Sequence, residues 1–122
     1  MARILMIEDS ELMRETLRGV LEAFGHEVTE AVNGVEGLQL QSEIGFDLVV
    51  TDIIMPEKGG VETIIEMKER YPDLQIIAVS AEEYERDSKT LSRAQAMGAD
   101  EVVAKPFTAE DIQHAVNACL GN

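Results

Sequence analysis

At 122 residues the chain fits one domain, 1–122, with room for a real core and none for a second domain. Hydrophobic residues make up 45%, a globular composition that excludes a disordered chain. Lys and Arg number 10 against 24 Asp and Glu, and the resulting net charge of −14 works against nucleic-acid backbones and anionic membranes while favouring solubility or basic partners. Cys119 is the only cysteine, so no internal disulfide or cysteine zinc cluster can form. The opening apolar run is too short for a signal-peptide core, and no stretch approaches membrane-spanning length, so a reducing, cytoplasmic setting is expected.

Ile4-Leu5-Met6-Ile7 is a continuous apolar run, the pattern of a strand covered on both faces. Ser10 can cap the helix that follows, where Leu12, Met13, Leu17, Val20, Leu21 and Phe24 recur at helical spacing before Gly25. His26 to Ala31 reads as a second strand, Asn33-Gly34 as a turn, and Val35 to Ser42 as a modest helix carrying Gly37 and Leu38. In Phe46-Asp47-Leu48-Val49-Val50-Thr51-Asp52 a third apolar run with two β-branched valines ends on a carboxylate, and Ile53-Ile54-Met55-Pro56 follows. Beyond Lys58-Gly59-Gly60 comes a helix with Val61, Ile64, Ile65 and Lys68 on one side, stopped at Tyr71-Pro72-Asp73.

Leu74 to Val79 is the fourth apolar run and ends at Ser80-Ala81. Glu82 to Met97 has a thin apolar stripe, so its helix is expected to be the most mobile. After Gly98, Val102-Val103-Ala104 forms a fifth strand and runs into Lys105-Pro106-Phe107. Thr108 with Asp111 fits a capping-box variant, and Ile112, Ala115, Val116, Cys119 and Leu120 line one face of the last helix. Strand and helix thus alternate five times, which argues for an α/β domain with a doubly wound parallel sheet and helices on both faces.

In such a sheet every strand ends on the same edge, so Glu8, Asp9, Asp52, Ser80 and Lys105 can share one pocket. Packed carboxylates repel unless a cation intervenes, and Mg²⁺ suits a site of carboxylate oxygens and water. A phosphoryl group on Asp52 could share that metal and meet the Lys105 ammonium and the Ser80 hydroxyl, making Asp52 the nucleophile. His26 and His114 lie outside this set, have no His or Cys partner at ligand spacing, and are expected at the surface.

The acidic pair Glu8-Asp9, the Asp52-Ile53-Ile54-Met55-Pro56 segment with Gly60 beyond it, Ser80-Ala81, and Lys105-Pro106-Phe107 stand in the order of a response-regulator receiver domain. The sequence resembles that family over essentially its whole length. The resemblance implies a flavodoxin-like (βα)5 fold and a phosphoryl group accepted from a histidine kinase or phosphotransfer protein. It makes Asp52 the phosphoacceptor and Asp9 a direct Mg²⁺ ligand, with Glu8 acting mainly through metal-bound water. The backbone carbonyl of Ile54 is implied as a further ligand, Ser80 as the switching hydroxyl, and Ala81 as the small residue leaving room for the phosphoryl group. Lys105 would pair with that group, and the Lys105-Pro106 peptide would be cis. The domain would catalyse only its own phosphotransfer and autodephosphorylation, and would signal to a downstream output protein or domain.

Two positions depart from the family pattern. Val102 stands where receivers often carry Tyr or Phe, so the hydroxyl-aromatic coupling is absent in its usual form. The stretch from Ser80 to Lys105 is a few residues longer than usual, so an altered loop or displaced fourth helix is expected there. No output domain follows in the sequence to Asn122, which leaves a stand-alone regulator or a part of a larger protein. Two rival readings are a small Mg²⁺-dependent aspartyl-phosphate hydrolase and a degenerate receiver used only as a binding module. The first normally carries a second aspartate two residues after the nucleophile, where this chain has Ile54; the second would have lost acidic residues that are present here.

Overall fold

The computed structural model describes residues 1–53, 59–80 and 98–121, Ser80 by its backbone alone. The expected Glu82 to Met97 helix, the Ile54 carbonyl, Ala81 and the Met55 to Lys58 segment lie outside the described residues. Five strands are described: β1 (Arg3–Ile7), β2 (Glu27–Ala31), β3 (Leu48–Asp52), β4 (Gln75–Ser80) and β5 (Glu101–Ala104). With them stand four described helices: α1 (Glu11–Ala23), α2 (Gly34–Glu43), α3 (Gly60–Arg70) and α4 (Ala109–Leu120).

All neighbouring strands are parallel, in the order β2-β1-β3-β4-β5. This is the expected doubly wound, flavodoxin-like sheet. The order reverses direction at β1, so the crevice between the ends of β1 and β3 is the switch point where such sheets bind ligands.

Continuous apolar strands are explained by cover on both faces. Ile4 and Met6 of β1 pack with Leu17 and Leu21 of α1 and with Ile112, Ala115 and Val116 of α4. Their neighbours Leu5 and Ile7 point the other way, into a cluster with Leu38 of α2 and Ile64 and Met67 of α3. Alternation along the strands therefore supplies two cores, and the inner strands β1, β3 and β4 are apolar at mid-strand, while the edge strand β2 carries Thr29 and Glu30.

The helix ends obey local chemistry. Ser10 Oγ accepts from the Met13 N–H at 3.3 Å, and Asn33 Oδ1 accepts from the Glu36 N–H at 2.8 Å. The capping box at α4 is complete: Thr108 Oγ1 accepts from the Asp111 N–H at 3.1 Å, and Asp111 Oδ2 from the Thr108 N–H at 2.9 Å. The Lys105-Pro106 peptide is cis, as the family resemblance implied.

Three expectations need correction. Leu12 is 74% exposed, and the buried residues of α1 are Leu17 and Leu21. In α3 the buried residues are Thr63, Ile64 and Met67 with Gly60, while Lys68 turns aside to pair with Asp100 at 2.9 Å. His26 is only partly exposed, and its Nδ1 accepts the Ala2 N–H at 3.1 Å. No described helix is long and apolar enough to cross a membrane.

Candidate functional site

Register brings the strand-end residues together. Ile7 pairs with Thr51, so the next residues, Glu8 and Asp52, leave their strands side by side. On the other flank Asp52 pairs with Val79 and Ser80 with Ala104, which places Lys105 one residue further along the same edge. Glu8 still donates its N–H to the Ala31 carbonyl of β2 at 3.0 Å, and the Ile53 N–H still reaches Val79 O at 3.0 Å. The functional side chains therefore hang from backbone that the sheet holds.

Glu8, Asp9 and Asp52 each offer a carboxylate oxygen, and these oxygens lie within 4.8 Å of one another. Lys105 Nζ donates to Asp52 Oδ2 at 2.9 Å and to Glu8 Oε1 at 3.3 Å, tying β5 to β3 and β1. The second Glu8 oxygen accepts the Ser10 N–H at 3.2 Å. The three acids differ in cover: Glu8 is 2% exposed and the Asp52 side chain 12%, whereas Asp9 faces solvent.

One lysine does not balance this group. Burial, then hydrogen bonding with Asp9 and the charge of Asp52, push the Glu8 carboxyl up to about 7, with the Ser10 N–H opposing. Burial works against the Lys105 ammonium, but its bonds to Asp52 and Glu8 and their charges outweigh that and raise its pKa. The donor set holds hard carboxylate oxygens and carries surplus negative charge. It fits Mg²⁺, which takes one or two carboxylates and keeps several waters.

Gly60 shapes the floor of the site. A Cβ there would run into the carbonyl oxygen of Asp52 and lie 2.5 Å from Ile53 Cα, so only glycine lets α3 close on the end of β3. The Gly60 N–H seals that contact by donating to Ile53 O at 2.8 Å. Of the other expected residues, Ser80 is placed at the end of β4 by its backbone, and Ala81 and Ile54 lie outside the described residues. Val102 packs against the cluster beneath α2 and α3.

Arg14 was not singled out by its residue type or spacing. Its Nη1 donates to the carbonyl oxygens of Glu8 and Asp9 at 2.9 and 3.0 Å. The available signal was an arginine one turn beyond the Ser10 cap, close enough to fold back on the acidic pair.

The chain matches the family model of the response regulator receiver domain over residues 4–117. It is 36% identical to the chemotaxis protein CheY of Halobacterium salinarum over 118 residues, covering 97% of this chain and 96% of that protein. It is 35% identical to the chemotaxis protein CheY of Bacillus subtilis over 119 residues, covering 97% of each. A crystal structure of a response regulator receiver domain protein from Clostridium thermocellum superposes with a TM-score of 0.89 at 30% identity, covering 99% of this chain and 95% of that one. Phosphorylation on an aspartate with Mg²⁺ is the general property of such domains, which are signalling proteins and not conventional enzymes. With its strand order, acidic cluster and these similarities taken together, the chain belongs to the response-regulator receiver-domain family.

Proposed function

We propose that Asp52 is the phosphoacceptor of this receiver and that Glu8, Asp9, Asp52 and the backbone carbonyl of Ile54 hold Mg²⁺. The observation that carries the reading is Lys105 Nζ at 2.9 Å from Asp52 Oδ2, inside a cluster of three carboxylates. An oxygen of Asp52 attacks the phosphorus of a phosphoimidazole donor. The N–P bond breaks, its electron pair returns to the imidazole nitrogen, and a proton from solvent completes the free histidine. When bound, Mg²⁺ neutralises charge on the phosphoryl oxygens. Lys105 turns from the Asp52 carboxylate to a phosphoryl oxygen as negative charge gathers there.

The Ser80 hydroxyl and the small Ala81 complete the phosphoryl pocket, and in slow autodephosphorylation water attacks the phosphorus, the bond to the Asp52 oxygen breaks, and inorganic phosphate and the free carboxylate are released. The donor is a histidine kinase or phosphotransfer protein, the recipient of the signal a downstream output protein or domain, and the setting the cytoplasm. The net charge of −14 argues against direct nucleic-acid or membrane partners. With Val102 in place of an aromatic, the signal travels through backbone and helix movement. The test is labelling with acetyl phosphate or beryllofluoride in the presence of Mg²⁺. The wild type acquires the adduct and Asp52→Asn does not; equal labelling of the two overturns the reading.

A further inference from the structure

We infer that Arg14 is a positioning residue that pre-organises the Glu8-Asp9 carboxylates for the cation, with Glu30 as its anchor. This rests on the reading of Glu8 and Asp9 as Mg²⁺ ligands. Arg14 lies in the first turns of α1 with a side chain only 16% exposed. Its Nη1 bridges the carbonyl oxygens of two consecutive residues, at 2.9 Å to Glu8 and 3.0 Å to Asp9. Its Nε stands 3.5 Å from Glu30 Oε1 on β2, and the other Glu30 oxygen pairs with Arg18.

The Glu8 peptide is consequently held from both sides. Its N–H is fixed by Ala31 O at 3.0 Å, one residue beyond Glu30. Its carbonyl is fixed by Arg14, which is itself tethered to the same strand. Pinning two successive carbonyls sets the direction in which both side chains leave the backbone. The guanidinium spends its donors on carbonyl oxygens and leaves the Glu8 and Asp9 carboxylate oxygens free of it. A planar fork can serve the carbonyls and Glu30 together, a geometry that the single ammonium of lysine does not reproduce.

The sign of the effect separates positioning from simple charge. A positive group beside a cation site repels the cation, so loss of the charge alone would tighten Mg²⁺ binding. Loss of the brace weakens it, and outer-shell partners of metal ligands are typically worth about 10-fold to 100-fold in affinity.

The experiment is calorimetric titration of the full chain with MgCl₂ at fixed ionic strength, alongside thermal unfolding without metal. Arg14→Met is expected to bind Mg²⁺ about 10-fold more weakly than wild type. Arg14→Lys should fall between the two, and Glu30→Gln should show a smaller loss. In metal-free amide NMR spectra, the signals of Glu8 to Ser10 should shift in Arg14→Met while those of α4 stay in place. An unchanged or tighter Mg²⁺ affinity in Arg14→Met, even with a lowered melting temperature, overturns the proposal and leaves Arg14 a structural brace. If Arg14→Met does not fold, Arg14→Lys decides, and wild-type affinity in that variant overturns the proposal. Wild-type protein that binds no Mg²⁺ would overturn the reading of the metal site itself, a result distinct from an Arg14 failure.

Discussion

The two edges of the sheet handle polar groups in opposite ways. At the edge where the strands begin, three side-chain acceptors meet backbone donors. Asp47 Oδ2 takes the Arg3 N–H at 2.9 Å, Gln41 Oε1 the Phe46 N–H at 3.2 Å, and Asp100 Oδ2 the Ile76 N–H at 2.8 Å. Asp100 also receives Lys68 at 2.9 Å, so its charge is matched. At the edge where the strands end, three carboxylates face Lys105, and Glu8 is driven up to about 7. Balanced polar contacts at one edge close the fold, while the unbalanced group at the other creates demand for a cation. Carboxylates crowded in this way, with a raised pKa, cluster at functional sites.

This contrast predicts that substitutions at the two edges separate chemistry from stability. The largest effect belongs to Lys105→Met, which removes the ammonium bonded to Asp52 and Glu8 and, on the proposed function, the partner of the phosphoryl group. Phosphotransfer from a small-molecule donor should fall by about 100-fold, the scale of losing one charge-stabilising donor. Its melting temperature should change far less, and a rate within a few-fold of wild type would break the comparison.

Gly60→Ala follows, since its methyl would meet backbone and not a flexible side chain. The cost should be about 2 kcal/mol in denaturant unfolding, within the 1–3 kcal/mol typical of overpacking. It should also slow phosphorylation by displacing Asp52, and an unaltered unfolding midpoint would argue against tight closure of α3 on β3. Asp100→Ala, at the other edge, leaves the Ile76 N–H unpartnered and Lys68 without its acid. A loss of roughly 1–3 kcal/mol in unfolding free energy is expected, with Mg²⁺ affinity unchanged.

The smallest effect is at His26, whose pKa is lowered by burial and then by the N-terminal charge. A base with a depressed folded pKa contributes stability that is present above its ordinary 6.5 and lost as pH falls through the lower folded value. Protonation also removes the Nδ1 acceptor that the Ala2 N–H uses. Unfolding measured between neutral and mildly acidic pH should therefore show a steeper loss for wild type than for His26→Gln. Parallel curves would contradict it.

Much of the fold could be read from the chain because both faces of the sheet are covered. Ile4 to Ile7 and Leu48 to Val50 are apolar without interruption, and Glu8 follows the first directly and Asp52 the second after the buried Thr51. The convergence of Glu8, Asp9, Asp52 and Lys105 followed from parallel strands ending on one edge. Periodicity alone could not say which residues of the apolar stripe the sheet covers, so Leu12 shared a stripe with the buried Leu17 and Leu21 yet stands exposed. Nor could it show that Lys68 leaves its stripe for Asp100, a contact from α3 to the residue before β5. Arg14 escaped notice for a related reason, since its partners are main-chain carbonyls, which carry no residue-type signature. The near-complete burial of Glu8 was equally hidden, as one acid in a charged pair looks like the other until Asp9 is found facing solvent.

On the proposed function, the crowded strand-end edge makes Asp52 the phosphoacceptor. The most direct measurement is to phosphorylate the wild-type chain with acetyl phosphate and Mg²⁺, reduce the acyl phosphate with borohydride, and locate the product by peptide mass spectrometry. The expected result is homoserine at position 52 and nowhere else. Homoserine at Glu8's neighbour Asp9 or any other aspartate, or no Mg²⁺-dependent conversion, would show that Asp52 is not the phosphoacceptor.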